Sequence, residues 1–189
     1  MSFRPPADLA DGRSVRWRAL EGDGLEHLTL RAEASGLRAD AVIVGERDGS
    51  RFGARYRIDC DADFTARSFE IATTDGHGLA MTRRDGAWHD SQRGHLPAFD
   101  ACVDIDLSAT PFTNTLPIRR CAWQLGQQRR IAMLFVPFDS FEPFVTEQIY
   151  TCLTPSLFRF ETADGSFTAE LPVDEDGLVM DYPCLFQRL

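Results

Sequence analysis

The chain has 189 residues, a formal net charge of −9 and a pI near 4.9. An acidic surface opposes binding to nucleic-acid phosphates and to anionic membrane surfaces, so we expect no nucleic-acid partner. All twenty basic residues are arginine, which excludes a lysine Schiff base, a Walker-type lysine and a lysine general base.

The N-terminus carries no apolar signal-peptide core, and no run of residues approaches the roughly 18 apolar residues of a transmembrane helix. Five scattered cysteines without a Cys-x-x-Cys pair suit small thiols in a reducing compartment. These features predict a cytoplasmic protein that does not insert into membranes. They leave its oligomeric state open.

Asp-Gly recurs seven times along the chain, and the intervening segments alternate apolar and polar residues with a period near two. This pattern is typical of hairpins joined by tight turns. In Arg51–Cys60, for example, Tyr56 and Ile58 share one face while Arg55 and Arg57 share the other. The predicted strands are Leu25–Ala32, Leu37–Glu46, Arg51–Cys60, Ser68–Thr74, Gly78–Arg84, Cys102–Leu107, Arg129–Phe138, Phe144–Leu153, Ser156–Thr162 and Phe167–Val173.

We therefore predict an all-β, mainly antiparallel fold. Residues 91–101 and 111–120 are where the sequence most favours short helical turns. The length and the lack of a linker predict a single domain over residues 1–189, with residues 1–11 as a loose N-terminal tail.

Residues 110–120, Thr-Pro-Phe-Thr-Asn-Thr-Leu-Pro-Ile-Arg-Arg, form a stretch stiffened by two prolines. Thr110 and Thr113 are each suited to cap a helical turn. Because a rigid turn fixes the direction of the next side chains, we predict that Arg119 or Arg120 makes a buried bidentate contact. Its partner is either Asp104, Asp106 or the Asp174–Asp176 turn, which we favour, or an anionic group of a ligand.

This stretch and several others resemble a bacterial family labelled "putative glycolipid-binding", formerly a domain of unknown function. The resemblance runs through nearly the whole chain, with the motifs in the same order and spacing. It implies curved sheets forming a spiral β-roll or half-open barrel, with some likeness to periplasmic lipoprotein carriers, and it implies a lipid or glycolipid ligand. The further matching segments are 86–88, 103–107, 147–150, 173–179 and 181–188.

Motifs for catalysis or metal binding are weak. Asp100, Asp104 and Asp106 offer oxygen ligands, but the alternation places Asp104 and Asp106 together on the solvent face of a strand. The scattered histidines lack zinc spacing, and there is no Gly-x-Ser-x-Gly elbow or phosphate-binding glycine loop. We expect no metal, no cofactor and no catalytic residue.

Aromatic residues are the remaining signal, including a cluster of phenylalanines at 135, 138, 141 and 144. They either fill an ordinary core or line an apolar groove inside a curved sheet. We favour non-enzymatic binding of an amphipathic small molecule, such as a glycolipid, in that groove. Arg119 and Arg120 at its mouth could then hold an anionic head group. The alternative is an enzyme of unknown reaction on the same scaffold. The predicted ligand-binding residues are Arg119, Arg120, Asn114, Trp88 and Tyr150.

Overall fold

The computed structural model of the protein describes residues 3–47 and 49–189. Most of these residues lie in β-strands, and the helical elements are short. The strands are β1 (Arg13–Ala19), β2 (Leu25–Glu33), β3 (Gly36–Arg47), β4 (Ser50–Cys60), β5 (Ala66–Thr73), β6 (Gly78–Arg84), β7 (Ala87–Asp90), β8 (Gly94–His95), β9 (Asp104–Leu107), β10 (Gln128–Val136), β11 (Phe144–Thr154), β12 (Leu157–Thr162), β13 (Thr168–Pro172), β14 (Asp181–Tyr182) and β15 (Phe186–Arg188). The helical elements are 3₁₀ turns at Pro6–Leu9, Pro97–Phe99 and Phe112–Asn114, and the helix α1 (Thr115–Arg120).

The strands form two sheets. The larger has ten strands in the order β14-β15-β1-β2-β3-β4-β5-β6-β7-β8 and curls strongly into a half-barrel. The smaller has five strands in the order β13-β12-β11-β10-β9. The pairing is antiparallel except between β9 and β10, which are parallel because the chain passes through α1 between them. The predicted fold of curved, mainly antiparallel sheets with short helical turns is confirmed.

Alternation along the strands decides which face is buried. In β4, Tyr56, Ile58 and Cys60 are buried, while Arg55 and Arg57 point outward. A period of two requires this result when one face of a sheet covers a core. The inward face of the curled sheet thereby carries most of the apolar side chains.

The tight turn between β6 and β7 shows how an Asp-Gly pair makes a hairpin. Asp85 and Gly86 have φ values of 52° and 85°, and Arg84 pairs directly with Ala87. Positive φ at both central residues is the requirement of a type I′ turn, which Asp-Gly meets at low cost. Another predicted Asp-Gly turn contains Asp48, which lies outside the described residues.

Two apolar clusters form the core. The larger lies against the curled sheet and includes Trp17, Phe69 and Trp88. The smaller lies against the five-stranded sheet and includes Tyr150 and Phe158. Phe186, on β15, packs against both clusters, so the C-terminal strands join the two sheets.

The N-terminal segment packs onto the protein from Phe3 onward, in contrast to the predicted loose tail. Leu9 is buried in the larger cluster, and the amide of Arg4 donates to the carbonyl of Glu175 at 2.7 Å. An apolar anchor and a backbone hydrogen bond explain why these residues are held. The first two residues of the predicted tail lie outside the described residues.

Among the described residues, none of the helices has the length and apolar character needed to cross a bilayer.

Candidate functional site

The proline-bounded corner between β9 and β10 is buried: every residue from Thr110 to Ile118 is shielded from solvent. Its first turn is fixed by Thr110, whose hydroxyl accepts the amide N–H of Phe112 at 3.0 Å. Thr113 does not cap the next turn as predicted, because its hydroxyl donates to Asp106 Oδ1 at 2.9 Å. A polar segment can be buried only when its hydrogen bonds are made internally, and this one reaches into both sheets.

Arg120, at the end of this corner, makes the predicted buried bidentate contact. Its Nε donates to Asp104 Oδ1 at 3.0 Å and its Nη2 donates to Asp104 Oδ2 at 2.5 Å. Asp104 is fully buried. Burial raises the pKa of Asp104, and the facing guanidinium opposes that rise. The partner is therefore a residue of the fold.

Arg119 connects the N-terminal segment to the turn that contains Asp176. It donates to the carbonyl oxygens of Asp176 and Arg4, each at 2.7 Å, and its guanidinium lies 4.2 Å from the ring centroid of Phe64. Gly177, with a φ of 76°, makes room for it, because a Cβ there would lie 2.6 Å from Arg119 Cδ. Both arginines are thus engaged by the protein itself.

Trp88 belongs to the core. Its side chain is fully buried, its indole N–H donates to the carbonyl of Cys102 at 2.9 Å, and its ring packs on Phe69. A fully enclosed indole with its donor satisfied has no group to offer a ligand. The burial of Trp88 therefore argues against the ligand contact predicted for it.

Asn114 and Tyr150 lie together in a buried polar network. The Tyr150 hydroxyl lies 2.9 Å from Asn114 Oδ1 and 3.1 Å from Gln148 Oε1. Gln148 Nε2 in turn donates to Asp106 Oδ2 at 2.6 Å. Each of the two amides uses one N–H within the described part of the chain, on Asp106 and on the Pro111 carbonyl. A second N–H of each amide therefore remains for a ligand.

This network forms the polar floor of a cleft of about 590 Å³, here called the aromatic cleft, between β10–β12, the corner and the C-terminal strands. Asn114, Gln148 and Asp106 line it, and Tyr150 stands directly behind them. Phe160, Phe167 and Tyr182 pack together at centroid separations of 6.0–6.1 Å on one wall. The aromatic residues of the cleft are Phe135, Phe144, Phe160, Phe167, Tyr182 and Phe186.

The charges around the aromatic cleft are acidic. Asp106, Glu147 and Asp164 line it, whereas Arg119 and Arg120 do not. Burial raises the pKa of Asp106, and hydrogen bonds from Gln148 and Thr113 oppose that rise. Such a lining disfavours an anionic head group, which the sequence hypothesis had assigned to the two arginines.

A second, smaller cavity of about 240 Å³, here called the Glu26 cavity, adjoins the first. Trp17, Glu26 and Ile43 stand side by side on β1, β2 and β3 and line it together. The two spaces share lining residues, among them Leu185 and Phe186. A ligand could therefore contact both.

Glu26 is buried, with 2% of its surface exposed. Its Oε1 accepts the Tyr56 hydroxyl at 2.5 Å and the Thr110 hydroxyl at 2.9 Å. Its Oε2 has no hydrogen-bond partner within the described chain. Desolvation raises the pKa of Glu26 to about 8, against the opposing effect of the two hydroxyls.

Sequence reasoning missed Glu26, although a signal was present. Glu26, Leu28 and Leu30 share the inward face of β2, so the alternation itself places a carboxyl inside the sheet. The prediction that Asp104 and Asp106 share a solvent face is wrong, because the fold covers that face of β9. Asp104 is buried against Arg120, and Asp106 accepts hydrogen bonds from Gln148 and Thr113. Within residues 3–47 and 49–189, no three His, Cys, Asp or Glu side chains converge as a metal site requires.

Known proteins share both the sequence pattern and the fold of this chain. The profile of the family described as "Putative glycolipid-binding" matches residues 14–188. The chain belongs to this family. A crystal structure of a DUF1089 family protein from Pseudomonas aeruginosa is 40% identical, with a TM-score of 0.78 over 92% of this chain and 95% of that chain. No curated protein matches the chain.

Proposed function

We propose that the protein binds an amphipathic small molecule with an uncharged, hydroxyl-bearing head, such as a glycolipid, in the aromatic cleft. The observation that carries this proposal is a cleft of about 590 Å³ that combines six aromatic side chains with a polar floor and has no basic side chain among the described residues that line it. Its volume falls within the range of about 300–1,000 Å³ of small-molecule sites.

The chemistry of the lining suits such a ligand. A sugar ring has apolar C–H faces, which pack on aromatic rings, and a hydroxyl rim, which pairs with amides and carboxylates. Phe160 and Phe167 supply the rings, while Asn114, Gln148 and Asp106 supply the hydrogen-bonding groups. Neutral sugar hydroxyls bring no charge that would need an arginine partner.

The rim suits the apolar part of the ligand. Phe144 and Leu185 line the cleft and are 51% and 40% exposed. Large apolar side chains grouped around the mouth of a cavity are typical of a binding site. They offer an acyl or alkyl chain a surface on which to leave water. The family description agrees with a ligand of this kind.

The test is isothermal titration with two detergents of equal chain length, octyl β-D-glucopyranoside and octyl sulfate, each below its critical micelle concentration. We expect the glucoside to bind with one-to-one stoichiometry and the sulfate to bind at least tenfold more weakly. Preference for the sulfate, or no binding of either, would refute the proposal.

Two matched variants locate the binding. Phe144→Ala should weaken glucoside binding roughly tenfold, because it removes an exposed ring at the cleft rim. Leu125→Ala, which changes a 70% exposed side chain that does not line the cleft, should leave it unchanged. Equal losses in both variants would mean that the detergent adsorbs without using the cleft.

A further inference from the structure

We infer that the Glu26 cavity is a second subsite, which takes an uncharged oxygen acceptor, either an ester carbonyl or a hydroxyl, and that Glu26 recognises this group through Oε2. The inference rests on the proposed function for the kind of ligand, an amphipath that extends from the aromatic cleft past Phe186. It adds a residue, a position and a chemical group to that function.

The geometry of the carboxyl group carries the inference. Oε1 is occupied by two donors, Tyr56 Oη and Thr110 Oγ1. Oε2 is buried without a partner among the described residues, and Glu26 lines the cavity. A buried polar atom left without a partner destabilises a fold, so its persistence here needs a reason. A ligand oxygen in the cavity supplies one.

The protonation state decides which group Oε2 recognises. Desolvation raises the pKa of Glu26 to about 8, so the neutral acid predominates at pH 7. Because Oε1 already accepts two hydrogen bonds, the proton resides on Oε2, which then acts as a donor. A donor selects an acceptor oxygen, and an uncharged one needs no countercharge in this apolar surrounding.

The wall of the cavity around Glu26 is mostly apolar, which suits an alkyl or acyl chain. Trp17, Ile43, Phe52 and Phe138 line it alongside Glu26. Glu21 and Glu46 lie at its edge, and no described arginine lines it. The acceptor oxygen is therefore one that sits next to an alkyl or acyl chain.

Thr110 joins this subsite to the aromatic cleft. Its hydroxyl donates to Glu26, and the same residue lines the cleft. A ligand in the Glu26 cavity can thereby affect binding in the aromatic cleft through Thr110, and the reverse. The rigid corner holds this link in place.

The experiment titrates two uncharged probes with eight-carbon chains, 1-monooctanoylglycerol, which has an ester carbonyl, and octyl β-D-glucopyranoside, which has only hydroxyl and ether oxygens. Binding is measured for the wild type, Glu26→Gln and Glu26→Met at pH 6.5 and pH 9. The glutamine variant keeps an acceptor for Tyr56 and Thr110 and a neutral N–H donor. The methionine variant keeps the approximate size and removes both.

At pH 6.5 we expect Glu26→Gln to bind within threefold of the wild type and Glu26→Met to bind about tenfold more weakly. At pH 9 we expect the wild type to weaken several-fold while Glu26→Gln does not change. Among the described residues, the other titratable groups are Tyr56, which donates to Glu26, and Glu21, Glu46 and Cys184, which line the cavity. All four are identical in the two proteins. The probe with the larger dependence on Glu26 identifies the acceptor as carbonyl or hydroxyl.

Two results would overturn the inference: equal binding by Glu26→Met and wild type, or Glu26-dependent hydrolysis of either probe, which would make Glu26 a catalytic acid. If Glu26→Met does not fold, the comparison of wild type with Glu26→Gln across pH still decides the matter. Binding that depends on Phe144 but not on Glu26 would leave the proposed function standing and remove only this subsite.

Discussion

The two halves of the segment from Thr110 to Arg120 put the same rigid backbone to different uses. The first half places Thr110 and Thr113 on the cavity-lining carboxyl groups of Glu26 and Asp106. It also places Asn114 at the aromatic cleft, against the Tyr150 hydroxyl. The second half directs Arg119 and Arg120 into contacts that hold the sheets and the N-terminal segment together. Uncharged side chains lie next to the cavities, and charged ones brace the fold.

The difference is a consequence of solvation. A guanidinium that is withdrawn from water needs hydrogen-bond partners within the fold. Asp104 supplies them for Arg120, and two backbone carbonyls supply them for Arg119. Hydroxyl and amide groups need fewer partners, so they can stand at a cavity wall and keep some capacity for a ligand. Substitutions of Arg119 and Arg120 in the second half should therefore lower stability strongly, whereas substitutions in the first half should mainly weaken ligand binding.

The largest stability effect is expected from Arg120→Ala. It leaves the carboxylate of Asp104 buried without its partner, which should lower the free energy of unfolding by roughly 3–5 kcal/mol. Urea denaturation measures it. Arg130→Ala is the matched control, because its ion pair with Glu147 is exposed and should contribute about 0–1 kcal/mol.

Binding by the same variant sharpens the comparison. At a temperature where Arg120→Ala is folded, its affinity for octyl glucoside should stay within twofold of the wild type. A variant that keeps its stability but loses binding would reverse the roles assigned to the two halves.

Arg119→Ala should have a smaller effect. It removes two hydrogen bonds from a charged donor and the contact with the Phe64 ring, for a loss of roughly 1.5–3 kcal/mol. Amide hydrogen exchange provides a local readout: protection of the Arg4 amide, which bonds to Glu175, should fall more than protection in β4. Uniform changes along the chain would contradict the bracing role.

Glu26 predicts a pH dependence of stability. The pKa is about 8 in the folded protein against an ordinary 4.5, so between these values the folded state holds a proton that the unfolded chain has lost. The contribution of Glu26 to the free energy of unfolding is therefore fully present below pH 4.5. It should fall as the pH rises to about 8, by about 1.4 kcal/mol per pH unit.

Glu26→Gln removes that contribution. Its melting temperature relative to the wild type should rise progressively from pH 5 to pH 8. The control is Glu21→Gln, an exposed carboxylate at the edge of the same cavity, for which no such trend is expected. A difference between Glu26→Gln and wild type that stays constant with pH would show that Glu26 is ionised in the folded protein.

Tyr150→Phe should have only a small effect on stability. Its hydroxyl orients Asn114 and Gln148 from behind the cleft, so its removal should lower stability by only about 1 kcal/mol. Octyl glucoside affinity should fall by several-fold, because the two amides lose their common anchor. Thermal melts measure the change in stability, and titration calorimetry on the same sample measures the change in affinity.

Patterns with a local cause could be predicted from the sequence. The alternation of Arg51–Cys60 and the hairpin at Asp85-Gly86 depend on period and turn chemistry. The pairing of Arg120 with Asp104 is one of several that the sequence left open for Arg119 and Arg120. The short strands β7, β8, β14 and β15 were missed, because two to four residues carry too little periodicity. The strand β1 was missed although Val15 and Trp17 alternate with arginines.

The site was harder to predict because it depends on which surfaces meet. The fold brings Asn114 and Tyr150 together, but Gln148 and Asp106 join them only where β9 and β11 flank the corner. The phenylalanine cluster likewise separates in the fold. Phe135 and Phe144 pair at the aromatic cleft, whereas Phe138 and Phe141 pair beside the Glu26 cavity.

The most direct test of ligand binding in the aromatic cleft is chemical-shift mapping by NMR of the ¹⁵N-labelled wild-type protein with octyl β-D-glucopyranoside. We predict that the largest amide shifts fall in 106–114, in 144–148, in 160–167 and in 182–186, around the aromatic cleft. Residues near Arg119 and Arg120 should shift little. Shifts concentrated around these two arginines, or absent from the cleft, would contradict binding at this site.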